Sequence, residues 1–210
     1  MPNPNNFSSS PLYSSPALYQ FLMRLLYRKN FNIRYQVIAD EIPERSSVVD
    51  VCAGDAYLYF NFLRKKSIRY TALDNSPFFL SWAQKKGIDY RKVNVFNDEI
   101  PKGDIVLMMG SLFQFFPKEK EVLQKLIQSA RRKVIISEPI SNLSSSPIGI
   151  IARIANRLTT PFEVSDQYTG ERFNEERLIS LLNSFPGFQH STKIPGGREI
   201  VGVISGEAQS

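Results

Sequence analysis

The chain has one cysteine, one histidine and one tryptophan in 210 residues. A single cysteine excludes an internal disulfide, and no Cys/His cluster exists from which structural zinc could be built, so no metal is expected. No apolar run approaches the roughly 20 residues that a membrane-crossing helix needs. No basic stretch precedes an apolar core near residue 1, so no secretory signal is expected and a cytoplasmic location is the default. The pattern G-x-x-x-x-G-K-[ST] is missing throughout, which excludes a P-loop nucleotide site.

What is there suits one globular domain: the hydrophobic content of 42% at this length supplies a substantial core. The net charge of +6 raises the question of nucleic acid. Position argues otherwise. Arg64, Lys65 and Lys66, then Lys85 and Lys86, then Arg131, Arg132 and Lys133 each fall where a helix is expected to end, where cations offset the negative end of the helix dipole. In a doubly wound sheet these ends lie on the edge away from the ligand, so a nucleic-acid partner is not favoured.

Along the chain, residues 1–16 are rich in Asn, Ser and Pro and are expected to be disordered. A helical cap spans 17–45, with one helix over 17–29 carrying Leu18, Phe21, Leu22, Leu25 and Leu26 on a broad apolar stripe, and a second over 33–42. The remaining domain, 46–210, alternates strands (47–52, 68–73, 89–95, 103–109, 133–138) with helices (55–65, 77–86, 118–131). That rhythm predicts right-handed crossovers and a doubly wound, mostly parallel α/β sheet. An insertion over 139–172 follows, with an apolar helix at 148–158 that carries Arg153 and Arg157. A helix over 174–185 capped by Asn174 and two strands, 188–194 and 198–204, flanking Pro195, Gly196 and Gly197 complete the order.

The most telling segment is Ser47-Val48-Val49-Asp50-Val51-Cys52-Ala53-Gly54-Asp55-Ala56. A short apolar run ends in an acid and small residues and then turns helical. Twenty positions after Gly54, a second run ends in Asp74. This is the layout of a strand–turn–helix–strand unit that holds a nucleoside-bearing cofactor, the second acid accepting ribose hydrogen bonds. A dinucleotide site needs G-x-G-x-x-G, and its three positions here are Cys52, Gly54 and Tyr57. A tyrosine is hard to reconcile with close helix–strand packing at the third, so NAD and FAD are disfavoured.

The spacing Asp50, Cys52, Gly54, Ala56 resembles instead the first motif, D-x-G-x-G-x-G, of class I S-adenosylmethionine-dependent methyltransferases, with two glycines replaced by small residues. Leu73-Asp74-Asn75-Ser76-Pro77 is similar to the second motif, Asp104–Leu112 to the fourth-strand motif, and Val134-Ile135-Ile136-Ser137-Glu138-Pro139 to the fifth strand. The matches occur in the family's order over about residues 46–204. The resemblance implies a Rossmann-like seven-stranded sheet whose last strand enters antiparallel between the fifth and sixth.

It also implies S-adenosylmethionine as cofactor, with a site drawn from Asp50, Cys52, Ala53, Gly54, Ala56, Asp74, Asn75, Asn94, Val95 and Met109. The backbone of 52–56 would cradle the methionine part and Asp74 the ribose. Asp50 either orders that loop or simply stabilises a turn. Asn94 is aligned with the adenine-reading position, and Asp98 is the rival. Met109 is either beside the cofactor or a core methionine. Many small-molecule O-methyltransferases of this fold carry a histidine after the fourth strand, where this chain has Phe113 and Gln114. Neither takes a proton at neutral pH, which leaves Glu138, equally readable as a structural acid, or an acceptor that is already nucleophilic.

The 17–45 cap and the 139–172 insertion lie where the family builds its substrate cover. Phe113, Phe115, Phe116, Tyr168 and Phe173 add aromatic surface, so an apolar or aromatic small-molecule acceptor is the expectation. The alternatives are an RNA methyltransferase and a non-catalytic cofactor-binding protein. The amphipathic N-terminal helix also permits weak contact with a membrane surface.

Overall fold

A computed structural model of the chain describes residues 28–140 and 171–206, together with Phe21, Arg24 and Leu25. The expectations for 1–16, for most of the 17–29 helix, and for the 148–158 helix and most of the 139–172 cover, Tyr168 included, lie outside the described residues.

Short β-branched runs such as Ser47–Val51 and Gly103–Met109 are apolar on both sides, which suits strands buried on both faces of a parallel sheet. Among the described residues seven strands form one sheet: β1 (Ser47–Val51), β2 (Arg69–Asp74), β3 (Asp89–Lys92), β4 (Gly103–Met109), β5 (Ala130–Pro139), β6 (Phe188–Lys193) and β7 (Glu199–Ser205). Their order is β3-β2-β1-β4-β5-β7-β6. The first five are parallel, and β7 runs antiparallel between β5 and β6, as the family resemblance implied. Strand order reverses between β1 and β4, which opens a crevice beyond their carboxyl ends.

Helices α1 (Phe31–Asp40), α2 (Pro77–Lys86), α3 (Glu119–Ser129) and α4 (Glu175–Asn183) cover the two faces. Alternation along the strands divides the core in two. Val49, Val51, Val106, Met108, Val134 and Ile136 meet Leu123, Leu126, Leu178 and Leu182 on one face. Val48, Ile105, Leu107 and Ile135 meet Ile38, Ala39 and Ala83 on the other. Packing is tight at Gly202, where a Cβ would stand 2.6 Å from Leu182 Cδ1. Helix ends follow local chemistry. Pro77 opens α2 and Gly87 closes it at φ +68°, and Asn174 Oδ1 accepts the Arg177 N–H at 2.7 Å to start α4.

α1 is joined to the sheet by polar contacts as well as by its apolar face. Buried Arg34 meets buried Glu199 of β7 through Nη2 at 2.9 Å and Nε at 2.8 Å. At its other end Lys66 Nζ donates to the Ala39 and Ile42 carbonyls, and Glu41 pairs with Lys133 at 2.8 Å and with His190 at 3.0 Å.

Three elements differ from expectation. The helix expected over 55–65 becomes a widened π turn at Tyr59–Leu63 and a 3-10 turn at Arg64–Lys66. The wide turn lets Tyr59 stack on Tyr70 (ring centroids 4.3 Å) while Phe62 reaches Tyr35 (5.7 Å). β3 stops at Lys92 rather than 95, because Asn94 and Asp98 side chains take the Phe96 and Asn94 N–H groups into a turn. β5 begins at Ala130, three residues early, directly where α3 ends. The basic clusters stand before β2, at the end of α2 ahead of β3, and at the start of β5. All lie at the amino ends of strands, on the edge opposite the crevice.

Candidate functional site

β1 delivers its carboxyl end into a turn in which every second residue is left-handed: Cys52 at φ +60°, Gly54 at +55° and Ala56 at +51°. L-residues with a Cβ adopt this region at a cost of roughly 1–2 kcal/mol, so Cys52 and Ala56 hold strained backbone that glycine would occupy freely. The turn is held from outside. Ala53 N–H donates to the Leu73 carbonyl at 3.0 Å, and Gly54 N–H donates to Asp74 Oδ2 at 2.9 Å. Asp74 Oδ1 accepts the Ser76 N–H at 2.9 Å, so one carboxylate ties the ends of β1 and β2 to the start of α2. Its desolvation raises the Asp74 pKa, opposed by the N–H groups of Ser76, Gly54 and the half-buried Asn75.

Asp50 is buried beneath the turn, and its Oδ2 accepts the Tyr70 hydroxyl proton at 2.6 Å. Burial first, then the charges of Asp74 and Asp55, push the Asp50 carboxyl up to about 7 against the Tyr70 hydrogen bond. The Cys52 thiol is driven well above its usual value by burial and by Asp74 and Asp50. Asp55 Oδ1 takes the Tyr57 N–H at 3.2 Å and Ala56 is 1% exposed, so both close the turn onto the core. Tyr57 continues into an aromatic group with Phe31 and Tyr35, at 5.3 and 4.7 Å between centroids.

The neighbouring end of β4 runs through half-buried Met109 to Gly110 (φ +59°), where a Cβ would meet nothing within 4 Å. Met109 lies opposite Ser137 of β5 in the ladder. The chain then enters a 3-10 turn, Leu112–Phe115. Glu138, at the end of β5 and wholly buried, accepts the Ser111 and Leu112 N–H groups through Oε1 at 2.7 Å each. Its Oε2 accepts no hydrogen bond among the described residues. Burial pushes this carboxyl up to about 8, opposed by the N–H groups of Leu112, Ser111 and Phe113 and reinforced by Glu199. Glu138 as placed fixes the turn after β4 and does not reach solvent. Gln114 is half-buried in the same turn, its N–H bonded to the Ser111 carbonyl.

The structure thus brings Asp50, Cys52, Ala53, Gly54, Ala56, Asp74 and Asn75 together, with Met109 and Glu138 on the two strands beyond. Asn94 and Val95 follow β3 at the sheet's edge. Asn94 Oδ1 is taken by the Phe96 N–H at 3.0 Å, Asp98 Oδ2 takes the Asn94 N–H at 2.7 Å, and Val95 is buried. Sequence reading missed Tyr70, Ser111 and the Arg34–Glu199 pair, since each acts across separations that no local pattern encodes. It also missed Arg172, whose guanidinium lies 3.5 Å from the centroid of Phe113.

No family model matches the chain and no curated protein does. Solved structures match it over nearly its whole length. A chain of the complex between the Haloferax volcanii Trm112 methyltransferase activator and a methyltransferase superposes with TM-score 0.67. The identity is 11%, over 95% of this chain and 98% of that one. Magnesium protoporphyrin IX methyltransferase from Synechocystis PCC 6803, solved with bound S-adenosylhomocysteine, gives 0.59 at 15% identity, over 94% and 98%. The [4+2]-cyclase SpnF gives 0.60 at 11%, over 85% and 82%. The chain has the fold of the class I S-adenosylmethionine-dependent methyltransferases. The cyclase among these matches shows that one fold carries several chemistries.

Proposed function

We propose that the protein transfers a methyl group from S-adenosylmethionine to a small-molecule acceptor. The observation that carries this reading is the turn after β1, with left-handed backbone at 52, 54 and 56 and the Gly54 N–H on Asp74. It keeps the glycine-motif geometry even where glycine has been replaced. The residues suit the cofactor. Asp74 accepts one hydrogen bond on each oxygen and retains lone pairs for ribose hydroxyls, and Gly110, where a Cβ would meet nothing within 4 Å, leaves room beside the turn for the methionine part. Asn94 or Asp98 would stand near adenine, Val95 beside it and Met109 beside the sulfur. The cofactor, once bound, supplies a methyl group already activated on a sulfonium. The protein's part is then to hold an acceptor in line, where orientation is worth effective molarities of about 10⁵–10⁸ M.

The 17–45 cap and the 139–172 insertion would cover the acceptor, and the location would be cytoplasmic. No helix among the described residues is long and apolar enough to cross a membrane. Calorimetric titration with S-adenosylhomocysteine tests the reading. Micromolar binding by the wild type that Asp74→Ala weakens roughly ten- to hundredfold supports it, and no binding by the wild type sinks it. A second reading, binding without transfer, is favoured by the turn after β4, where Phe113 and Gln114 offer no proton acceptor. Cofactor binding with no turnover across acceptor classes would select it.

A further inference from the structure

Residue 52 raises a packing question, granted the reading that the turn after β1 binds S-adenosylmethionine. Cys52 is left-handed at φ +60° and carries a side chain where glycine would carry none. A residue with a Cβ keeps that backbone only when its surroundings hold it there. The next two positions are held from β2, through the Ala53 N–H on the Leu73 carbonyl and the Gly54 N–H on Asp74. Cys52 is held from the other side, by the segment that follows β4.

Val51 stands opposite Met108 in the ladder, so Cys52 and the segment Met109–Ser111 leave the two strands side by side. Cys52 is half-buried and packs against the core cluster that includes Met108 and Leu112, and its thiol meets the Ser111 hydroxyl. Burial, Asp74, Asp50 and Glu138 disfavour the thiolate, whereas the Ser111 hydroxyl favours it. At neutral pH the group is therefore an S–H, able to donate to Ser111 Oγ while that hydroxyl donates to the Met109 carbonyl at 3.2 Å. Ser111 is itself fixed. It is buried, its N–H donates to Glu138 Oε1 at 2.7 Å, and the preceding Gly110 N–H donates to the Ser137 carbonyl at 2.6 Å. β5 anchors Ser111, and Ser111 anchors Cys52.

We propose that Ser111 is a positioning residue for the cofactor, holding the Cys52 side chain so that the turn after β1 keeps its left-handed course. Ser111 acts through residue 52, whose backbone would cradle the methionine part. The serine matters because residue 52 is not glycine. At a glycine there would be neither strain to hold nor a side chain to hold it by.

The test is a double-variant cycle read by calorimetric titration with S-adenosylhomocysteine. With Cys52 present, Ser111→Ala is expected to weaken binding about three- to tenfold, the scale of one hydrogen bond. In the Cys52→Gly background the same change should cost no more than about twofold. A second readout needs no cofactor. Cys52 is the chain's sole cysteine, so reaction with iodoacetamide reports this thiol alone. Between pH 7 and 9 the rate should fall about threefold in Ser111→Ala, because a thiolate without its donor forms less readily than its higher basicity offsets. A merely structural role predicts the opposite sign, since a loosened turn exposes the thiol and speeds the reaction. Equal losses of affinity in the two backgrounds, no loss in either, or a rate that rises or stays the same would overturn the inference. Melting curves confirm that each variant is folded. Binding without coupling defeats this inference alone, whereas a wild type that binds no S-adenosylhomocysteine defeats the cofactor reading beneath it.

Discussion

Asp74 and Gly54, twenty residues apart, are joined by a 2.9 Å hydrogen bond from the Gly54 N–H to Asp74 Oδ2. The same carboxylate takes the Ser76 N–H. Asp74→Ala therefore removes an acceptor from two N–H donors as well as from any ribose. We expect a loss of about 1.5–3 kcal/mol in S-adenosylhomocysteine binding, roughly ten- to hundredfold in affinity, with an accompanying fall in melting temperature. Calorimetry and thermal unfolding measure the two effects. An unchanged affinity would remove Asp74 from the site.

Strain in the turn after β1 gives a prediction of unusual sign. Glycine at an ordinary site destabilises, but at φ near +50° to +60° it relieves a cost of roughly 1–2 kcal/mol. Ala56→Gly is expected to leave stability unchanged or raised, the relief opposing the loss of one buried methyl. Ala56→Val should cost well over 1 kcal/mol, being branched at a left-handed position with 1% exposure. Urea denaturation of the three proteins decides it.

The Arg34–Glu199 pair is buried on both sides. Truncating either residue to Ala strands the other charge and should cost about 3–5 kcal/mol. Arg34→Met combined with Glu199→Leu should recover much of that loss. If the single variants are near neutral, the pair does not hold α1 on the sheet.

Glu138 sets a pH dependence. Its carboxyl lies at about 8 in the fold against an ordinary 4.5, so the folded state binds the proton more tightly. Stability from this group is complete below about 4.5 and is lost as pH rises towards 8. Asp50, raised from 3.8 to about 7, acts in the same direction over a lower window. Glu138→Gln should flatten the upper part of the slope in unfolding free energy between pH 5 and 8. A slope unchanged in the variant would show that Glu138 is ionised throughout.

His190 offers a negative control, since its partner Glu41 also binds Lys133 towards the amino end of β5, opposite the crevice. Its pair with Glu41 is half exposed, so His190→Ala should change stability by no more than about 1 kcal/mol. Methyl transfer should persist, and a collapse of turnover in a folded variant would contradict the placement described.

The architecture was legible because strand and turn signals are local. Val48–Val51 followed by small residues, or Asp74 ahead of Ser76 and Pro77, announce themselves within a few positions. The antiparallel β7 was foreseen only through resemblance, since nothing in Glu199–Ser205 states its direction. The segment after β1 departs from a regular helix because its aromatics serve two partners, Tyr70 on β2 and Tyr35 on α1, and the backbone widens to reach both. The turn residues were readable by spacing. Glu138 was visible as an acid at a strand end, but its clamp on Ser111 and Leu112 joins the end of β5 to the turn after β4 across 26 or 27 residues and has no sequence signature.

The insertion of β7 between β5 and β6 bears on how the chain is made. Arg34 is synthesised 165 residues before its partner Glu199. Until residues 199–205 leave the ribosome, β5 presents an open hydrogen-bonding edge and Arg34 an uncompensated charge destined for the interior. β6 meanwhile has no neighbour to join. A nascent chain stalled before residue 199 should therefore be sensitive to proteases and to edge-to-edge association, and should call on chaperones until β7 slides into the gap.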